Sequence, residues 1–170
     1  MTDLSATTLP DPSDELVRPA SMTVDGSLDP QRAQHLVRIA EALYTFWDTG
    51  DLRWLREAVD PTFVDNTLPA GRPQGIDGLI SASATFRTAV PDLACELSDL
   101  LVVGDKLAVR LHFTGHFTGT YNGIQGHGQT VDFIAFDIQH VGGDRIFEDW
   151  HLEDNLTFLT QAGIATVAHA

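Results

Sequence analysis

From Gln31 onward the chain repeats apolar side chains at helical spacing: Leu36, Ile39, Ala40, Leu43, Phe46 and Trp47 form a stripe, with Arg32, Arg38 and Glu41 off it. This pattern predicts a helix over residues 31–48, broken by Asp48, Gly50 and Asp51. Leu52 to Val59 suits a short second helix before Asp60 and Pro61. The segment FVDNTLPAGRPQG, Phe63 to Gly75, starts as a strand and becomes a loop rich in Pro and Gly. A third helix is expected over 76–90, stopped by Pro91, because proline disfavours helical backbone in the residue before it. Beyond it the period falls to two, which predicts strands near 93–103, 106–118, 129–141 and 145–153. Turn signals separate them at Gly104-Asp105, Tyr121 to Gly128 and Gly142-Gly143-Asp144. Asp154, just before Leu156, Phe158 and Leu159, reads as the N-cap of a closing helix. Helices first and long antiparallel strands afterwards indicate an α+β fold, with the helices on one face of a curved sheet.

Alternation along the strands sorts the ionisable groups. On the last strand Asp149 and His151 project one way, Trp150 and Leu152 the other. Between Leu107 and His116, the residues Arg110, His112, Thr114 and His116 share a face opposite Val109, Leu111 and Phe113. The strand TVDFIAFDIQH is mixed on both sides: Asp132, Ile134, Phe136, Ile138 and His140 on one, Val131, Phe133, Ala135, Asp137 and Gln139 on the other. Such strands suit a cavity with an apolar wall and a few placed polar groups. His112 and His151 are expected to face this cavity together with Asp65, and Asp149 to sit beside His151 nearer the rim. Val109, Leu111 and Phe113, with Trp150 and Leu152, would then form an apolar outer face, which predicts a homodimer.

Composition narrows the partners. With 170 residues, 43% hydrophobic and 20% charged, the chain supports one core and one domain. That domain is expected over 31–165, after a tail of residues 1–30 that contains Pro10, Pro12, Pro19 and Pro30 and lacks apolar periodicity, and before a short tail at 166–170. A net charge of −14 opposes binding to nucleic acid or an anionic membrane and favours a small neutral or apolar substrate. Cys95 stands alone, so no intrachain disulfide or multi-thiolate metal site can form, and it reads as a small apolar strand residue. Metal-ligand spacing such as H-E-x-x-H is missing, and the glycines of GGDRI and GIQGHG do not link a strand to a helix as a nucleotide loop does. No metal or cofactor is expected. His127 falls in a Gly-rich turn, while His35 and His169 read as surface residues. The sequence lacks an apolar run of the roughly 20 residues that a membrane span needs, and its start has no basic-then-apolar signal pattern, so a cytoplasmic protein is expected.

Three blocks in order, FVDNTLPAGRPQG, VPDLACELSDLLVVGDKLAVRLHFTGHFTGTYNGI and GDRIFEDWHLEDNLTFLTQAG, resemble the SnoaL-like polyketide cyclases and ester cyclases of the nuclear-transport-factor-like superfamily. The resemblance spans about residues 31–165. It implies a cone-shaped α+β barrel of helices on a strongly bent, mostly antiparallel sheet around one pocket, usually in a dimer. It also implies cofactor-free cyclase or isomerase chemistry on a small, largely apolar carbonyl compound or epoxide, with one acid-base side chain on the last strand. Counted back from Asp154, the position of that family carboxylate is His151, whose imidazole can do the same work near neutral pH. The related limonene-type epoxide hydrolases are similar in layout. Against their pattern Arg110 and His112 fall on the middle-strand pair, and Phe63 and Asp65 on the strand that holds the attacking water. The reading that follows makes His151 the general acid-base group, His112 a second proton carrier and Asp65 an orienting carboxylate. Arg110, Asp149, Phe63, Asn66, Trp47, Phe86 and Phe133 are expected to bind substrate, and Trp150 is a further candidate wall. Epoxide hydrolysis and ligand binding without turnover are the alternatives.

Overall fold

The computed structural model describes residues 15–167. In chain order the elements are β1 (Ser21–Val24), α1 (Pro30–Thr49), α2 (Leu52–Ala58), β2 (Val59–Asp65), α3 (Ile76–Ala89), β3 (Ala94–Val103), β4 (Lys106–Phe117), β5 (Thr120–Tyr121), β6 (Ile124–Gln125), β7 (Gln129–Gly142), β8 (Arg145–Glu153) and α4 (Asn155–Gln161). Three helices, α1, α2 and α4, start where the sequence offers an aspartate to accept from orphan backbone N–H groups. Asp29 accepts from the amides of Gln31 and Arg32, Asp51 from Arg53, and Asp154 from Thr157. Gly50 ends α1 at a φ of 76°, a conformation only glycine takes without strain.

Six strands form one mixed sheet in the order β1-β3-β4-β7-β8-β2, and β5 and β6 make a separate two-stranded ribbon. The central pairs β3–β4, β4–β7 and β7–β8 are antiparallel, while the edge strands β1 and β2 run parallel to β3 and β8. The α+β class is the one expected from helices followed by long alternating strands. Register shifts in β2–β8, β3–β4 and β7–β8 mark irregularities of the kind that bend a sheet. One face of the sheet meets α1. Leu36, Ile39, Ala40, Leu43 and Phe46 of that helix are buried as the stripe predicts, and Tyr44 and Thr45 are fully buried beside them.

Strand β4 turns the opposite way from the expectation. Val109, Leu111 and Phe113 are buried, with Leu111 opposite Leu97 and Ala135 and Phe113 opposite Cys95 and Phe133. Inward packing puts Leu111 and Phe113 against apolar partners on both neighbours and Val109 against Leu100 of β3, which outweighs any preference for a polar cavity wall. Arg110 and His112 consequently lie on the outer face, paired with Asp99 at 2.6 Å and Asp132 at 2.7 Å. Trp150 is also on this face, beside His140, and is no pocket wall.

The expected tail needs a second correction. Residues 21–24 add a strand to the sheet, Leu16 is buried in the core, and Arg18 pairs with the buried Glu41. β1 succeeds despite its exposed side chains because pairing with β3 satisfies its backbone. The rest of the expected tail, residues 1–14, lies outside the described residues, as does His169. Among the described residues no helix is long and apolar enough to cross a membrane.

Candidate functional site

Beneath α1 and α3 the inner face of the sheet borders a pocket of ≈ 680 Å³, open mouth included. Its apolar part comes mainly from Trp47, Phe63, Phe86, Phe113 and Phe133, together with Leu43, Leu79, Leu93 and Leu111. The rings are in mutual contact: Phe113 and Phe133 stack at 5.3 Å, Phe133 and Phe86 at 6.0 Å, and Trp47 meets Phe113 edge-on at 6.3 Å. A rigid wall of this kind fits a flat or folded apolar ligand.

The polar end is built by alternation on two strands. Asp149, His151 and Glu153 of β8 point into the pocket, and Asp137 of β7 joins them from the position directly opposite His151. Asp65, the last residue of β2, lies opposite Asp149 in the parallel pairing. The side chain of Gln74 fixes Asp65 in place, accepting from its amide at 2.7 Å and donating to its carbonyl at 2.9 Å. Thr67 ties the same loop to β8, accepting from the His151 amide at 2.9 Å. Thus the Pro- and Gly-rich segment after β2 acts as a strap that sets one carboxylate against the last strand.

His151 sits between two acids. Its Nδ1 is 2.8 Å from Glu153 Oε1 and its Nε2 is 3.1 Å from Asp65 Oδ2, so both nitrogens have an acceptor. Burial disfavours a charged ring, but the hydrogen bond and charge of Glu153, then those of Asp65, outweigh it and raise the imidazole to about 10. The ring is therefore a cation at neutral pH. Burial also pushes the Glu153 carboxyl up, yet the hydrogen bond and charge of His151 hold it below its ordinary value.

The two remaining acids are set differently. Burial, with the neighbouring charge of Asp137, raises Asp149 to about 8 despite the pull of the His151 cation. Burial raises Asp137 to about 6, offset in part by the hydrogen bond from Tyr44 and the charge of His151. Tyr44 Oη donates to Asp137 Oδ2 at 2.8 Å, and Gln139 Nε2 donates to Tyr44 Oη at 2.7 Å. Asp149 Oδ1 is buried without a hydrogen-bond partner in the protein. An apolar pocket thus ends in a carboxyl that changes protonation near neutral pH, beside a fixed cation.

Of the residues singled out from the sequence, the structure brings together His151 and Asp65, with Asp149 on the same side. Asp149 is buried rather than near the rim, and the charge on His151 comes from Glu153 and Asp65, since the raised carboxyl of Asp149 adds little negative charge. Trp47, Phe63, Phe86 and Phe133 line the pocket. His112 and Arg110 do not, facing outward with acidic partners. Asn66 is exposed, its side chain 3.3 Å from Glu148 on the outer face. Four polar participants were not singled out: Glu153, Asp137, Tyr44 and Arg72, the last of which lines the pocket from the strap. Glu153 continues the alternation of Asp149 and His151, and Asp137 shares the face of Val131, Phe133 and Ala135, so the strand period could have found both. Tyr44 and Arg72 carry no such signal, because a helix residue and a loop residue enter the site only through packing. Among the described residues no group of three or more His, Cys, Asp or Glu side chains is arranged to hold a metal ion.

Over residues 37–162 the sequence matches the family described as SnoaL-like polyketide cyclase. A polyketide cyclase candidate from Bacillus cereus ATCC 10987 has a similar structure, with a TM-score of 0.80 and 47% identity over 89% of this chain and 96% of that one. TsrD from Streptomyces laurentii is similar at a TM-score of 0.69 and 27% identity, over 82% of this chain and 100% of its own. IdmH from Streptomyces antibioticus, another polyketide cyclase candidate, is similar at a TM-score of 0.64 and 26% identity, over 74% of this chain and 96% of its own. Among proteins with curated descriptions, none matches this sequence.

Proposed function

Because the chain belongs to the SnoaL-like polyketide cyclase family, we propose that its pocket closes a ring in a largely apolar, polyketide-type carbonyl compound by acid-base catalysis without a cofactor. The observation that carries this reading is the buried Asp149 carboxyl, unpartnered at Oδ1 and held at about 8, at the end of an aromatic pocket. A group that titrates near the working pH is the one best able both to take and to return a proton.

In the proposed reaction Asp149, in its carboxylate form, removes a proton from a carbon flanked by carbonyls. The carbanion attacks a second carbonyl of the same molecule, forming the ring C–C bond. The resulting alkoxide takes the proton back from Asp149, which leaves the protein as it began. His151, fixed as a cation, offsets the negative charge that develops on the substrate oxygens. With both of its nitrogens engaged by carboxylates it serves as an electrostatic group rather than as the base. The aromatic walls hold the chain folded, which turns an encounter between two carbonyl units into a local one. No role falls to His112 or Arg110. Their outward placement also removes the middle-strand pair on which the epoxide hydrolase alternative depends. The protein is proposed to work as a homodimer.

The test uses aromatic 1,3-dicarbonyl compounds in deuterium oxide, followed by mass spectrometry. Protein-dependent deuterium uptake at the central carbon is expected, falling by about a hundredfold or more in Asp149→Asn, in line with the weight of one positioned proton carrier. Uptake unchanged in that variant would remove Asp149 from the mechanism. Tight binding of these compounds with no exchange would instead identify a binding protein.

A further inference from the structure

Gln139 and Asp149 lie opposite each other in the β7–β8 pairing, both on the buried inner face. Each contributes one buried oxygen with no hydrogen-bond partner, Gln139 Oε1 and Asp149 Oδ1. A buried polar atom left unsatisfied is costly, and a single proton shared by these two acceptors on paired residues would satisfy both. The other end of the Gln139 amide is already engaged, since Nε2 donates to Tyr44 Oη, which in turn donates to Asp137 Oδ2. We propose that Asp149 and Asp137 hold one proton between them through a relay made of Gln139 and Tyr44, which are the positioning residues that set the state of the acid-base group.

Every group in this relay is satisfied in two arrangements. In the first, the Asp149 O–H donates to Gln139 Oε1, the amide N–H to Tyr44, and the phenol O–H to the Asp137 carboxylate. In the second, the amide has turned over, so its N–H donates to an Asp149 carboxylate and its oxygen accepts from Tyr44, whose oxygen accepts from a protonated Asp137. The amide ends are close in shape and exchange by a half-turn. Between the two arrangements the Asp149 proton passes to Gln139 Oε1 as Nε2 gives a proton to Tyr44 and Tyr44 gives its own to Asp137, and the imidic acid so formed reverts to the amide in its turned orientation. One O–H bond is lost on Asp149 and one forms on Asp137, with the total charge of the pair unchanged at −1. Asp149 thereby becomes a base without a proton leaving the cavity. The other titratable and charged groups around the pair are His151 and Glu153 from β8, Asp65 from β2 and Arg72 from the strap, while α1 contributes Tyr44 and β3 the buried Cys95 thiol.

The inference deepens the ring-closure reading, but its test needs no turnover. Carbon-13 NMR of the aspartate carboxyls, with signals assigned through Asp149→Asn and Asp137→Asn, follows both acids against pH in the ligand-free protein. The wild type is expected to carry one carboxyl proton per pair at pH 7. Gln139→Leu removes the acceptor for the neutral Asp149, so its midpoint should fall by about one pH unit, the weight of one hydrogen bond. Greater burial alone would move it upward, so the sign distinguishes the two causes. Tyr44→Phe, which keeps the shape of the ring, should raise the Asp137 midpoint and lower that of Asp149. An Asp149 midpoint that rises or stays fixed in both variants, or two charged carboxylates in the wild type at pH 7, would overturn the relay. Exchange of dicarbonyl protons with unlinked titrations would sink the relay alone; linked titrations without exchange would sink ring closure alone.

Discussion

Nε2 of His151 and Oδ2 of Asp65 are 3.1 Å apart, which joins the last strand of the sheet to its edge strand across 86 residues of chain. The side chains of both are nearly buried, at 9% and 5% exposure. A buried pair of this kind adds little stability by itself, yet removing one partner strands the other's charge. Asp65 and Glu153 both depend on this one ring.

His151→Ala is therefore expected to destabilise the protein by roughly 3 kcal/mol at pH 7, the lower end of the range for a broken buried pair. His151→Asp, which would restore the carboxylate the family resemblance places there, should be worse, because it sets a further acid among Asp65, Glu153 and Asp137. Urea denaturation at neutral pH checks both. A loss under about 1 kcal/mol in the alanine variant would place the pair among weak, solvent-screened contacts.

Truncation to Asp25 should be costly. It removes the buried Leu16, the Arg18–Glu41 ion pair and the β1 ladder with β3. Loss of one buried leucine alone is worth about 2–5 kcal/mol, so the melting temperature is expected to fall by roughly 5 °C or more for a chain of this size. A melting temperature within 2 °C or so of the parent would show that this segment adds nothing to the core.

The outer face is expected to pair with a second copy of the chain. Phe136 stands opposite Leu152 and Ile138 opposite Trp150, and Phe136, Ile138 and Leu152 are 50%, 50% and 74% exposed. Contiguous apolar side chains on an otherwise acidic protein favour self-association. Light scattering should give about twice the 18.5 kDa chain mass. Phe136→Glu with Leu152→Glu should give a monomer that keeps its fold, and a wild-type monomer at micromolar concentration would remove this assignment.

Most elements were legible because their signals are local. The α1 stripe, the cap at Asp154 and the alternation of β7 each need only a short window of sequence. The direction of β4 was not, because both its faces carry acceptable residues and only pairing with β3 and β7 decides between them. His112 was misplaced for that reason: its strand offers a plain choice between an apolar and a polar face, and the apolar one went to the pocket. β1 was hidden by its brevity and its exposed side chains, since its stability lies in backbone pairing with a distant strand. In the site, the residues of β8 could be grouped by period, whereas Tyr44 enters from a helix about 93 residues before its partner Asp137. A contact of that kind leaves no mark in spacing.

Stability should fall as the pH rises, which is the reverse of ordinary acid unfolding. Asp149 and Asp137 have folded values above the unfolded one, at about 8 and about 6 against 3.8, and His151 is at about 10 against 6.5. A group raised on folding binds its proton more tightly in the folded state, so its contribution is complete below the unfolded value and is lost as the pH climbs through the folded one. The acids therefore weaken the fold between about pH 4 and 8, and His151 withdraws its support between about 6.5 and 10. Glu153, lowered on folding, acts in the other sense, but only near and below its ordinary value of 4.5. Asp149→Asn removes the largest acid contribution while keeping the shape of the group. At pH 8.5 its melting temperature should exceed that of the wild type by roughly 3–6 °C, as 1–2 kcal/mol gives in a chain of this size. The gain should shrink toward pH 5, where wild-type Asp149 already carries its proton. A difference between the two proteins that stays constant from pH 5 to 9 would mean that Asp149 does not titrate in this range, and the proton carrier would have to be sought elsewhere in the pocket.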